Sequence, residues 1–340
     1  MRFLTVFFAG ILFVGSAFAG ALTVTNVTMQ QRYPWNDMVD IMVTISGESN
    51  DVSRAICSFA ATNTATGTEL KISDIAQNGA DTGSGTTWTR RYIWNAATDV
   101  GNVKIEDVTL AVEAEIDYGG VQLWENGPYW AECNVGATSP EDYGYYFWWG
   151  DTVGYTRSGG TWTGGCFYSC ETWVSSSGTK MSSSPFSSST CPTYGKNNSS
   201  LLSAGYIDST GNLVAKYDAA TVHLGAPWRM PTYDEIGGLV NNCTTTWTTR
   251  NGVYGCLVIG KGDYASKSIF LPATGLGSGS NLYYTGSLGY YWSSSPNSDI
   301  SLDLYELYAY ELYFYSSDFY RCSGHRCDGR PVRSVRGFAN

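Results

Sequence analysis

Charge is scarce in this 340-residue chain. Asp, Glu, Lys and Arg make up 15% of it, with 20 basic residues against 30 acidic ones and a net charge of −10. A phosphate-binding face needs clustered Lys and Arg, so nucleic acid is not an expected partner. Histidine is scarcer still: His223 and His325 are the only two, and no cysteines stand at CxxC spacing. Neither a zinc site nor a Ser/His/Asp triad therefore finds its usual ligands or base. Long apolar runs are missing beyond the N-terminus, and with them any later segment able to span a bilayer as a helix.

What is abundant points to turns and strands. Glycine occupies 39 positions and aromatic residues make up 15%, the composition of a turn-rich, well-packed chain long enough for two domains. At the N-terminus Arg2 precedes an apolar run, Phe3 to Phe18, that closes on Ala17-Phe18-Ala19. That is the charged, apolar and small-x-small order of a signal peptide over residues 1–19, with cleavage expected after Ala19 or a residue or two later. No cysteine follows the site, so no lipid anchor is expected. The mature chain is expected to be exported, extracellular or on the cell surface.

Export permits disulfides, and an odd count of nine cysteines leaves at least one unpaired. Cys57, alone in the first third, reads as a buried core thiol. Cys166, Cys170 and Cys191 share a Ser/Gly-rich loop that allows a local bridge, and the remaining pairings stay open.

Residues 22–118 alternate apolar and polar side chains in "TVTNVTM", "DIMVTIS", "AICSFAAT", "TRRYIWNA" and "VTLAVEAEI", separated by turn formers such as "SGESND" and "NGADTGSG". The spacing predicts an antiparallel sandwich of immunoglobulin or fibronectin type with Trp35 and Trp94 in its core, acting as a spacer. After Gly119-Gly120 the chain becomes dense in Trp, Tyr and Gly, then runs through a Ser/Gly/Thr-rich loop over 153–200. Two helices are predicted. One spans Asp218 to Leu224 with Gly225 ending it; the other is capped by Thr232 and Glu235 and has Ile236, Leu239 and Val240 on its apolar face. Few helices among many short strands predict an α+β domain. Trp130, Trp148, Trp149, Trp228 and Trp292 are assigned to core and loop support.

In this second region "WAECNVGATSPEDYGYYFWWGDT", "GAPWRMPTYDEIGGLVNNC", "GVYGCLVIGKG", "SIFLPATG", "YYWSSSPN" and "RPVRSVRG" follow one another. Their order resembles that of the Fibrobacter succinogenes major paralogous domain family, over about Val121 to Gly337. The resemblance implies a C-type-lectin-like fold of the formylglycine-generating-enzyme group. The expected architecture is thus an α+β C-type-lectin-like domain (121–337) preceded by an all-β immunoglobulin-like sandwich (22–118).

In that family the segment after "WSSSPN" is rich in asparagine within an "A-aromatic-x-L-N-F-N-S" frame. The frame survives here as Ala309, Tyr310, Leu312, Phe314 and Ser316, yet no asparagine occurs from 298 to 339. Tyr313, Tyr315, Asp318, Tyr320, Cys322, Ser323, Gly324, His325 and Asp328 stand where Asn is expected. This pattern resembles the variable proteins of diversity-generating retroelements, in which template adenines are randomised. An AAC codon so treated gives Tyr, Asp, Ser, Cys, His or Gly, but never Trp, Met, Gln, Glu or Lys. None of those five fills these positions, while Glu306 and Glu311 fall outside the accessible set and read as fixed frame. The resemblance implies a variable segment, 299–328, to which Asp299, Ile300, Leu302, Asp303, Tyr305 and Tyr308 also belong.

Strand alternation alone puts Tyr310, Leu312 and Phe314 on one face and Glu311, Tyr313 and Tyr315 on the other. The first suits a core; the second carries a charge and is expected to be wet. Exposed tyrosines beside Asp318 and Tyr320 have the make-up of an antibody paratope. The expected function is therefore recognition without catalysis, metal or cofactor, toward variable protein or glycan ligands on other cells, phage or a host. Two other readings stand beside it: a carbohydrate-binding adhesin of fixed specificity, and an oxidase relative using Cys322 and Cys327. Arg321, Arg326, Arg330, Arg333 and Arg336 are read as structural partners of neighbouring acids rather than as a phosphate site.

Overall fold

The computed structural model describes residues 22–32, 38–47, 52, 55–100, 107–117, 119–159, 161–162, 167–169, 172–299 and 304–337. The proposed signal peptide, Trp35, Cys166, Cys170, Ile300, Leu302 and Asp303 lie outside them. The chain divides into two compact units, residues 1–118 and 119–340.

In the first unit the alternating segments form β1 (Thr23–Gln31), β2 (Met38–Ser46), β3 (Ala55–Asn63), β4 (Glu69–Leu70), β5 (Ile75–Gln77), β6 (Thr82–Ser84), β7 (Thr87–Asn95) and β8 (Val108–Ile116). One antiparallel sheet runs β1-β2-β7-β5 with β6 also on β7; the other runs β4-β3-β8. Every second residue of β2 points inward, so Val39, Ile41, Val43 and Ile45 are buried with Tyr92, Trp94, Ala61 and Leu110. Asp40, between them in sequence, faces the other way and pairs with Arg32 (3.0 Å) and Arg91 (2.9 Å). Cys57 is half-buried against this core.

The second unit contains β9 (Val121–Gln122), β10 (Tyr129–Asn134), β11 (Tyr155–Ser158), β12 (Thr161–Trp162), β13 (Phe167–Ser169), β14 (Thr172–Ser175), β15 (Cys243–Arg250), β16 (Val253–Gly260), β17 (Ser268–Pro272), β18 (Leu276–Ser278), β19 (Asn281–Tyr283), β20 (Gly289–Pro296), β21 (Tyr308–Phe314), β22 (Phe319–His325) and β23 (Arg333–Arg336). They build small antiparallel sheets: β23-β10-β9, β11-β14, β12-β13-β19-β18, β15-β16-β17 and β20-β21-β22.

The helix Ala219–Leu224 is capped by Asp218, whose carboxylate accepts from Thr221 N–H, and ends on Gly225 at φ 76°. The helix Tyr233–Asn242 carries a complete capping box between Thr232 and Glu235. Glu235 is fixed in addition by Arg229. A further helix, Asn198–Ser203, is capped by Asn197 and begins in the Ser/Gly/Thr-rich stretch that the sequence pattern assigned to a loop.

The expected fold class is corrected by these elements. Strand makes up 46% of the structure and helix 14%, distributed over many small antiparallel sheets. The chain is therefore predominantly β rather than α+β, and neither the C-type-lectin-like nor the immunoglobulin-like assignment is carried further. The physical reason is that the capped helices stay short, the longest in this unit having ten residues. The aromatic segments between them pair as strands instead of adding helical layers.

Buried arginines tie the sheets of this unit together. Arg333 donates to Asn134 Oδ1 (2.9 Å) and to the carbonyls of Ala131 (3.1 Å) and Phe270 (2.9 Å). Arg326 donates to the carbonyls of Tyr308, Thr193 and Lys196 and lies over the Trp149 ring. Both direct donors to backbone carbonyls of several elements, in strands β10, β17 and β21 and in the 193–196 segment. Trp130, Trp149, Trp228 and Trp292 are buried, and Trp148 is half-buried against the cluster of Tyr146, Tyr155, Trp173 and Phe186.

Candidate recognition face

Strands β21 and β22 form a hairpin whose tip, Tyr315 to Asp318, is closed by the Tyr315 N–H donating to the Asp318 carbonyl (3.0 Å). The register pairs Tyr308 with His325, Tyr310 with Ser323, Glu311 with Cys322, Leu312 with Arg321, Tyr313 with Tyr320 and Phe314 with Phe319. On the other side of β21, β20 sets Tyr290 beside Tyr313, Tyr291 beside Leu312 and Trp292 beside Glu311. Cross-strand partners share a face, so this register sorts the whole segment into two sets.

One face is closed. Leu312 and Phe314 are buried with Tyr291, Ile236 and Leu239. The helix Tyr233–Asn242 lies over it: Tyr233 stacks on Tyr310 with ring centroids 3.9 Å apart, and the Arg321 guanidinium lies 4.1 Å from the centroid of the Tyr233 ring. Gly237 in that helix is buried, and a Cβ there would meet Arg321 Nη1 at 2.7 Å. At the far end of the same face Tyr308 and His325 are in ring contact (4.4 Å), with Tyr194 beyond them at 6.2 Å from His325.

The other face is open towards the tip. Tyr313 is ringed by Tyr290 (5.0 Å), Tyr320 (5.2 Å, edge-on) and Tyr315 (5.7 Å). Tyr320 is 41% exposed, and the Tyr315 phenol is raised in pKa by its hydrogen bond to the exposed Asp318 carboxylate. Further from the tip, Glu311 is not wet, contrary to the expectation from alternation. It is buried in an ion pair with Arg330 and is 2% exposed. Arg330 also faces Asp328 (3.5 Å) and lies over the Trp292 ring at 4.3 Å. Burial raises the Glu311 pKa to about 7, with Arg330 working against the shift. A charge can sit on an inward position when its partner is buried with it.

The proposed contacts therefore separate. Tyr313, Tyr315, Asp318 and Tyr320 come together at the open end. Cys322 follows them on the same face, half-buried next to Glu311, and its thiol is pushed up in pKa by burial first and Glu311 second. Asp328 is engaged by Arg330. Gly324 is buried, and a Cβ on it would stand 2.2 Å from Arg330 Nη2 and 2.8 Å from Glu311 Oε2. This position holds a close approach and presents nothing to a ligand. Tyr308, Ser323 and His325 belong to the opposite face. Tyr305 lies half-buried in a short helical turn entered through Leu304 at φ 64°. Asp299 is exposed, its N–H donating to Asn297 Oδ1 (2.8 Å).

Sequence reasoning overlooked Tyr290 and Tyr233, which lie outside the frame yet shape its two faces, whereas Arg330, read as a structural partner of neighbouring acids, pairs with Glu311 and Asp328. The signal was present: "SSD" between two aromatic runs marks a hairpin tip, and the tip fixes which residues pair. Among the described residues the seven cysteines Cys57, Cys133, Cys191, Cys243, Cys256, Cys322 and Cys327 are free thiols. The suggested local bridge is thus not formed from Cys191, and Cys322 and Cys327 are not bridged to each other. Among the described residues no group of His, Cys, Asp and Glu is arranged to hold a metal ion, and no helix is long and apolar enough to cross a membrane. His223 packs against Tyr145 and Phe147 and bonds the Thr152 carbonyl at 3.0 Å. Compared with protein-family models, with curated proteins and with solved structures, the chain matches none.

Proposed function

We propose that this is an exported ligand-binding protein, recognising its partner non-covalently through the open end of the β20-β21-β22 sheet, with side chains there diversified by a retroelement. The observation that carries this reading is Tyr313 set among Tyr290, Tyr315 and Tyr320 on a strand whose other side is locked into the core. Tyrosine offers a large contact area with few rotamers to freeze and a hydroxyl at its tip, which suits adaptable recognition. A rigid support keeps the entropy cost of binding low. Export rests on the pattern of residues 1–19, and diversification on the Asn-to-Tyr, Asp, Cys and His pattern within a motif order like that of the Fibrobacter family. The oxidase reading is weakened, because a reactive cysteine must be a thiolate and burial raises the pKa of both Cys322 and Cys327, the latter to about 11.

The test is genomic and biochemical. DNA near the gene is expected to hold a near-copy of its 3′ end, with AAC codons at positions 313, 315, 318 and 320, beside a reverse transcriptase. No such copy, together with an unchanged tail in sibling strains, overturns diversification. A glycan array on which one sugar class binds in a chelator-sensitive way, unaffected by substitutions at Tyr313 and Tyr320, replaces the reading with a fixed adhesin.

A further inference from the structure

Aromatic rings and cations are repeatedly paired in the second unit. Arg321 lies over Tyr233 (4.1 Å), Arg336 over Tyr129 (4.1 Å), Lys216 over Tyr217 (4.7 Å), Arg326 over Trp149 (4.9 Å) and Arg330 over Trp292 (4.3 Å). Among the described residues no cation lies over Tyr313, Tyr315 or Tyr320. At the base of the cluster Arg330 lies over the neighbouring Tyr290 ring at 5.5 Å, and carboxylates outnumber that one guanidinium. Asp318 is exposed at the tip, while Glu311 and Asp328 share the single guanidinium of Arg330. Counting Glu311 as ionised, three carboxylates face one cation; counting it as neutral, two still do. Arg321, on β22, belongs to the opposite face, against Tyr233.

We infer that this version of the face takes an arginine-bearing segment of a protein partner, a guanidinium stacking on the open tyrosines with Asp318 at its edge. The inference rests on the recognition reading above and narrows it to one ligand chemistry. Ring faces carry the negative part of the aromatic quadrupole, and a planar guanidinium both stacks on them and donates to a carboxylate. Complementary charge also sets the partner's approach rate and its salt dependence.

The experiment uses the full chain and two synthetic peptides of one sequence, one bearing arginine and the other citrulline at the same positions. Because the whole protein is acidic, the decisive comparison keeps net charge constant. Tyr313→Ser/Tyr320→Ser, shown by circular dichroism to be folded, is expected to bind the arginine peptide at least tenfold more weakly than wild type. Asp318→Asn is expected to weaken it several-fold, and the citrulline peptide to bind wild type at least tenfold more weakly than the arginine peptide. Equal binding of the arginine peptide by wild type and the double serine variant overturns the inference, as does equal binding of the two peptides. A natural ligand that needs Tyr313 and Tyr320 but is indifferent to salt and to Asp318→Asn overturns the inference and leaves the recognition reading standing. A natural ligand indifferent to Tyr313 and Tyr320 sinks both.

Discussion

The two faces of the β21–β22 hairpin are made of nearly the same residue types and end in opposite states. Tyr310 and Tyr313 stand three residues apart on β21. Tyr310 is stacked beneath the helix Tyr233–Asn242 with Arg321 completing the layer. Tyr313 packs against the rings of Tyr290 and Tyr320 and opens towards Tyr320, itself 41% exposed. What separates them is neither composition nor hydropathy but what lies opposite: a helix on one side, the hairpin tip on the other. The open face is held in shape from behind, by Leu312 and Phe314 in the core, and from its base, by the buried Glu311–Arg330 pair.

The sharpest way to break this contrast is to remove the base. Arg330→Met leaves Glu311 without its partner in a buried site, and losing one member of a buried pair costs about 3–5 kcal/mol. The loss is read as a shift in the denaturant midpoint. Combining it with Glu311→Gln is expected to recover part of that loss, because the uncompensated charge is then gone. Recovery of nothing means that the guanidinium acts through Trp292 packing alone.

A smaller effect is expected from one added methyl. Gly324→Ala forces a Cβ against the Arg330 guanidinium and the Glu311 carboxylate, an overpacking cost of roughly 1–3 kcal/mol. Gly324→Asn should cost at least as much. This sharpens the diversification proposal, since a freely varied position would accept either substitution. A wild-type midpoint in Gly324→Asn would show that the pair can move aside and that position 324 is open to variation.

The base also makes stability depend on pH, with a sign that can be worked out. The Glu311 pKa rises on folding from an ordinary 4.5 to about 7, and that of Asp151 from 3.8 to about 6, both through burial. A raised carboxyl pKa means that the native state holds its proton more tightly than the unfolded chain does. The stabilisation from Glu311 is therefore complete below about pH 4.5 and is lost as the pH climbs through 7. Wild type should lose on the order of 1–3 kcal/mol relative to Glu311→Gln between about pH 5 and pH 8. Thermal melts of both proteins across that range check it, and a pH-independent difference refutes it.

Much of this was readable from residue order. Period-2 alternation located β1, β2, β3, β7 and β8, and the Thr232 and Glu235 pair marked the start of the helix that later proves to cover Tyr310. Alternation also separated Leu312 from Tyr313. It could not say that Glu311 is dry, because a charge in a strand looks solvated until its partner is known, and Arg330 is 19 residues away in sequence. Nor could it divide the proposed contact set, because which face Ser323 or His325 occupies depends on the register set by the hairpin tip. The architecture was misjudged for a related reason. Short capped helices carry strong local signals, while small sheets made by distant segments, such as β10 with β23, carry almost none.

The smallest structural effect is expected where the functional one is largest. Tyr320 lies at the open end, so Tyr320→Ser should change stability by no more than about 0.5 kcal/mol, as surface substitutions do. Tyr310→Ser on the covered face removes a ring stacked at 3.9 Å on Tyr233 and should cost about 1–3 kcal/mol. Binding should show the reverse order: Tyr320→Ser loses the ligand while folded, and Tyr310→Ser keeps it wherever the protein remains native. Denaturation and binding measured on the same two variants decide the matter. If Tyr310→Ser abolishes binding in a folded protein while Tyr320→Ser does not, then the covered face is the one that meets the partner, and the helix Tyr233–Asn242 must move for it to do so.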